Sequence, residues 1–131
     1  MSDTPPSSPS FQALIDYIES KNFNHTPYPE EKRVTLSMSG KNANYRFTAR
    51  ITNEDDYLQV TANYPFSVRE EKLRSSTAEL ITRANYCMPL GKFEMDMADG
   101  EVRFHLTHVI GELGLTSEMI EKHFMTAYFT M

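Results

Sequence analysis

A chain of 131 residues, 40% hydrophobic and 24% charged, fits one globular domain and buries enough surface to fold without disulfides or a structural metal. Its net charge of -5 argues against a nucleic-acid partner, because phosphate binding needs clustered Lys and Arg; a local basic patch stays compatible with that charge. The single cysteine, Cys87, leaves no internal disulfide to form, the first residues lack a signal-peptide pattern, and no apolar run nears the roughly 18 residues of a membrane span. A reduced, soluble, cytoplasmic protein is expected.

Residues 1–9 read as a disordered tail, since Pro5, Pro6, Ser7, Ser8 and Pro9 have nothing to bury, and residues 10–131 as one domain. Ser8 or Ser10 can cap a first helix, with Pro9 tolerated in its first turn. Phe11, Leu14, Ile15 and Ile18 recur at helical spacing, Asn22 is a stop, and Pro27 and Pro29 punctuate a loop. Three alternating strands follow. Val34, Leu36 and Met38 share one face; Tyr45, Phe47, Ala49 and Ile51 share the next, with Arg46, Thr48 and Arg50 opposite; Leu58, Val60, Ala62 and Tyr64 share the third. Turns at Gly40-Lys41-Asn42 and Asn53-Glu54-Asp55-Asp56 join them into a meander with one wet face.

Pro65 is expected to end the third strand, and residues 69–87 return to helical spacing with Leu73, Leu80, Ile81 and Ala84 as the buried stripe. Pro89 and Gly91 break that helix. Asp99-Gly100 then reads as a two-residue hairpin turn, which sets Met97 opposite Val102, Met95 opposite Phe104 and Phe93 opposite Leu106. The same register puts Asp96 against Arg103 and Glu94 against His105 on the outer face. Thr116 can cap a last helix carrying Met119, Ile120, His123, Phe124, Ala127, Tyr128 and Met131 on one stripe, which is still running at Met131 and is expected to continue. The expected fold is α+β, a five-stranded antiparallel sheet with helices on its apolar face, in the order α-β-β-β-α-β-β-α.

Chemistry is sparse in this pattern. Glu94 and Asp96 suggest acid–base work, but cross-strand pairing with His105 and Arg103 accounts for both. His105 and His108, three apart on a strand, face opposite ways, and His123 sits on an apolar stripe, so no metal site assembles and no cofactor is expected. Cys87 lies at a helix C-terminus, where the dipole offers a thiolate no support; it reads as a packing thiol and not a nucleophile. Eight methionines, mostly on apolar positions, suit either core filling or an adaptable peptide-binding surface.

The run Arg83-Ala84-Asn85-Tyr86, Pro89-Leu90-Gly91, Phe93-Glu94, Asp96 and Asp99-Gly100-Glu101-Val102-Arg103 resembles the signature of the YbjN domain family of bacterial sensory transduction regulators. Looser similarity extends from the first helix to the last. Two departures are Cys87, where the family often has a glycine, and a last helix without the usual continuation. The resemblance implies a fold like that of the type III secretion chaperones, which commonly dimerise and bind protein segments, and it carries over no catalytic residue. It therefore implies a non-enzymatic, regulatory or chaperone-like module that forms a homodimer and binds a protein partner. Contacts are expected from Tyr86, Met88 and Leu90 at the corner and from Phe124 and Tyr128 on the last helix. The rival expectation is a small-ligand sensor or enzyme with a pocket between helices and sheet, lined by His105, Glu94 and Arg103.

Overall fold

The computed structural model describes residues 8–40, 43–52 and 54–131. The expected tail up to Ser7, and Lys41, Asn42 and Asn53 of the two turns, lie outside the described residues. In chain order the elements are α1 (Pro9–Ser20), β1 (His25–Tyr28), a 3-10 turn (Pro29–Glu31), β2 (Arg33–Ser39), β3 (Asn44–Thr52), β4 (Tyr57–Ser67), α2 (Glu71–Asn85), β5 (Lys92–Met95), β6 (Glu101–Val109) and α3 (Ser117–Thr130). The strands form one antiparallel sheet in the order β1-β2-β3-β4-β6-β5. Among the described residues, no helix is long and apolar enough to cross a membrane.

Among the described residues, six strands stand where five were expected. The addition is β1, which holds Pro27 and ends just before Pro29, the two residues that read as loop punctuation; a strand at a sheet edge pairs on one side only, so a residue without an N–H is tolerated there. Pro65 likewise does not end β4. The strand continues to Ser67 across a register irregularity between Asn63 and Ser67, the usual way a ladder absorbs a proline.

Ser8 caps α1 by accepting from the Phe11 N–H at 3.1 Å, and Pro9, assigned to the tail, is the first helical residue. The Ser8 hydroxyl also donates to Asp55 (2.8 Å), which pairs with Lys32 (2.9 Å), so the helix start is tied to the β3–β4 turn. The alternation in β2, β3 and β4 places Val34, Leu36, Phe47, Ala49, Leu58 and Val60 in the core. Helices α1 and α3 cover that face: Phe124 stacks on Tyr17 (5.8 Å between ring centroids) and on Phe47 (6.2 Å), and Lys21 pairs with Glu121 across the two helices at 2.9 Å.

The hairpin register lies two residues from expectation. Met95 faces Val102, Glu94 faces Arg103, Phe93 faces Phe104 and Lys92 faces His105. A shift of two preserves the faces, so alternation alone does not reveal it. The turn is longer than two residues because Asp96 builds it: its carboxylate accepts from the Ala98 N–H (2.8 Å) and its carbonyl from the Gly100 N–H (2.7 Å). Asp96 is thereby taken away from Arg103, and Met97 turns out to solvent.

Candidate functional site

Helix α2 departs most from expectation. It spans Glu71–Asn85, and none of its residues is buried. The space over the sheet is filled by α1 and α3, which leaves α2 to pack beside edge strand β5. Polar side chains fasten it there. The Arg74 guanidinium donates to the Val68 carbonyl (2.8 Å) and to the Ala98 carbonyl in the hairpin turn (3.2 Å). At the other end the Asn85 amide donates to the Phe93 carbonyl and accepts from the Phe93 N–H. Because these groups point inward, three of the four residues expected to be buried point out: Leu73 is 50% exposed and Leu80 66%, and Ala84 is also exposed, while Ile81, on the side of Arg74 and Asn85, is half-buried.

The corner after α2 extends the same surface. Tyr86 is 89% exposed and Leu90 54%. Cys87, expected as a packing thiol, is exposed beside them. Gly91 holds the corner shut: its φ of +75° disfavours other residues, and a Cβ there would run into the Phe104 ring.

Of the five residues expected at a partner contact, the structure brings Tyr86 and Leu90 together on this corner. Met88 between them is half-buried against the core. Phe124 is fully buried, so it belongs to the core and not to a contact surface. Tyr128 is half-buried, with its hydroxyl donating to the Ser39 carbonyl at 2.9 Å. Leu73 and Leu80 of α2, whose apolar spacing was visible but whose direction was not, are exposed where Phe124 is buried.

The rival trio lies elsewhere. Glu94, Arg103 and His105 sit on the outer face of the sheet, away from α1 and α3, and not in a pocket between helices and sheet. Arg103 Nε donates to Glu94 at 2.9 Å. Burial works to raise the Glu94 pKa, but the hydrogen bond and charge of Arg103, with help from His105 and Lys92, hold the carboxyl below its usual range. His105 Nδ1 lies 3.0 Å from the Thr61 hydroxyl; burial first, then Arg103 and Lys92, push the imidazole pKa down against the pull of Glu94. On the opposite face, His108 lies against His123 with 4.5 Å between ring centroids. Among the described residues, no three His, Cys, Asp or Glu side chains converge as a metal site.

A family model described as "Putative bacterial sensory transduction regulator", YbjN, matches residues 11–128. No curated protein sequence matches the chain. Among solved structures, the crystal structure of YbjN from E. coli superposes with a TM-score of 0.66 at 12% identity, covering 92% of this chain and 84% of that one. That likeness concerns the fold.

Proposed function

Because the chain belongs to the YbjN family, we propose that it is a non-enzymatic regulator of a bacterial cytoplasm that works by binding protein, through the surface formed by α2 and the corner at residues 86–90. The observation that carries this reading is a helix with no buried residue, whose Leu73, Leu80 and Ala84 are left exposed among the described residues. Contiguous exposed apolar groups rimmed by charge mark interaction surfaces in soluble proteins. An aromatic anchor such as Tyr86 is the kind of side chain that dominates binding energy once it is desolvated. The likeness implied to secretion chaperones fits a surface of this kind, as does self-association into a homodimer through it.

Affinity capture from the native lysate tests the proposal when the parent chain is run beside Leu73→Glu with Leu80→Glu. Both positions are exposed, so the pair is expected to unfold at the parent's temperature. A protein recovered in near-stoichiometric amount by the parent and lost from the variant supports the reading. Equal recovery by both, or recovery of neither a partner nor a second copy by the parent, contradicts it.

A further inference from the structure

We propose that the outer face of the sheet binds a small organic phosphate, seated over Thr48 and Thr61 between Arg46 and Arg50. Strand register aligns three rows across this face. Arg33, Arg50 and Gln59 form one, Thr35, Thr48, Thr61 and His105 the next, and Ser37, Arg46, Asn63 and Arg103 the third. A row of hydroxyls ending at an imidazole therefore runs between two rows that carry arginines. The rows line an open concavity of about 320 Å³ on the sheet face, at the small end of the volume range for small-molecule sites.

Four of the chain's seven arginines line this concavity, in a protein whose net charge is -5. Arg33 lies directly opposite Arg50, and like charges at opposed strand positions destabilise a sheet. Arg33 of that pair is offset within the fold by Glu31, which leaves the Arg50 guanidinium to an anion above the sheet. The neighbouring acids do not fill the role. Glu31 holds Arg33 from the side while Tyr28 stacks beneath it (4.1 Å), Glu94 takes the Nε of Arg103, and Glu101 accepts from Asn63 at 3.0 Å. Among the described residues, Arg46 and Arg50 have no carboxylate within ion-pair distance.

The donor set selects the ligand class. Guanidinium forks match phosphate oxygens in pairs, and the threonine hydroxyls supply neutral donors for the third oxygen. Among the described residues, no Phe, Tyr or Trp lines the concavity, so they build no stacking platform there of the kind that single-stranded nucleic acid requires. The residues are distinct from the α2 stripe, and either site can fail while the other stands.

Isothermal titration of the full chain with inorganic pyrophosphate is the test, with citrate and a 12-residue oligothymidylate as comparison ligands. Saturable binding to pyrophosphate is expected, weakened about tenfold or more by Arg46→Gln with Arg50→Gln, since each lost charge-assisted contact is worth about that factor. Lys72→Gln with Lys122→Gln makes the same charge change elsewhere and is expected to stay within about twofold of the parent, because distant exposed charges are screened. Arg50→Lys keeps charge but loses the fork, and an intermediate affinity is expected. Absence of pyrophosphate binding, equal weakening by the lysine pair, or tighter binding of citrate or the oligonucleotide would each overturn the proposal. So would loss of binding accompanied by a lower unfolding temperature in the arginine variants, which would assign the arginines to the fold.

Discussion

The Asn85 side chain pairs with both backbone polar groups of Phe93, at 2.9 Å from Nδ2 to the carbonyl oxygen and 2.8 Å from the N–H to Oδ1. One amide thus stands in for a neighbouring strand along the outer edge of β5. An open edge is a template for pairing with other chains, and here α2 closes it with a single residue. Asn85→Ala is expected to cost about 1–3 kcal/mol by removing both bonds. It is also expected to raise the apparent mass at high concentration through the freed edge. Urea unfolding and light scattering check the two effects.

Tyr17 illustrates the opposite situation. It is buried against Phe124, and its hydroxyl has no hydrogen-bond partner among the described residues. Burial first, then the Glu121 charge, raise its pKa, with Lys21 pulling the other way. Removing an unsatisfied buried polar atom relieves a desolvation cost, so Tyr17→Phe is expected to stabilise the fold by about 1 kcal/mol. Phe124→Ala, which empties the same cluster, is expected to cost about 3–5 kcal/mol. Thermal and urea unfolding of both variants measures the contrast.

Much of this arrangement was readable from residue order, and what was not has a physical reason. Alternation placed Val34, Phe47 and Val60 correctly because period-two burial allows one inward face. Alternation does not register a two-residue slip, so the hairpin pairing of Glu94 needed the observed turn at Asp96. The spacing of Leu73, Leu80, Ile81 and Ala84 is the same whether a stripe meets a core or a partner; the inward clamps at Arg74 and Asn85 leave Ile81 half-buried and turn the other three out. Phe124 and Tyr86 are likewise both aromatic, and burial alone separates them. Arg46 and Arg50 were visible as polar-face residues, but the opposition of Arg50 to Arg33 across β3 and β2 depends on register.

Gly100 lies where the hairpin turn meets the link from β4 to α2. Its φ is +79°, its carbonyl accepts from the Val68 N–H at 2.8 Å, and a Cβ would collide with the Val68 backbone. Gly100→Ala is expected to cost about 2 kcal/mol or more, from the strained φ and the forced backbone shift together. Urea unfolding gives the value. Faster amide exchange across residues 68–74 is expected alongside it.

Stability is expected to fall on mild acidification. Burial, and secondly the charge of His123, push the His108 pKa below the ordinary histidine value. A histidine depressed in the folded state favours the neutral form there, so its contribution is present above the unfolded pKa and is lost as pH falls through the folded one. His105 shifts in the same direction and adds to the same window. Unfolding free energy is therefore expected to drop below about pH 6.5. His108→Gln is expected to flatten part of that slope, leaving the share of His105. An unchanged slope in the variant would contradict the assignment.

The most direct test of the α2–corner surface uses Cys87, the single cysteine, which is exposed beside Tyr86. A benzophenone maleimide attached there and irradiated in the native lysate reports what lies against the surface. A chain with Cys87→Ser and Glu19→Cys carries the same probe on the solvent side of α1 as the control. A discrete cross-linked protein, or a second copy of the chain, formed from Cys87 and absent from position 19 is the predicted result. The same adducts from both positions, or none from Cys87, would contradict the assignment of this surface to protein binding.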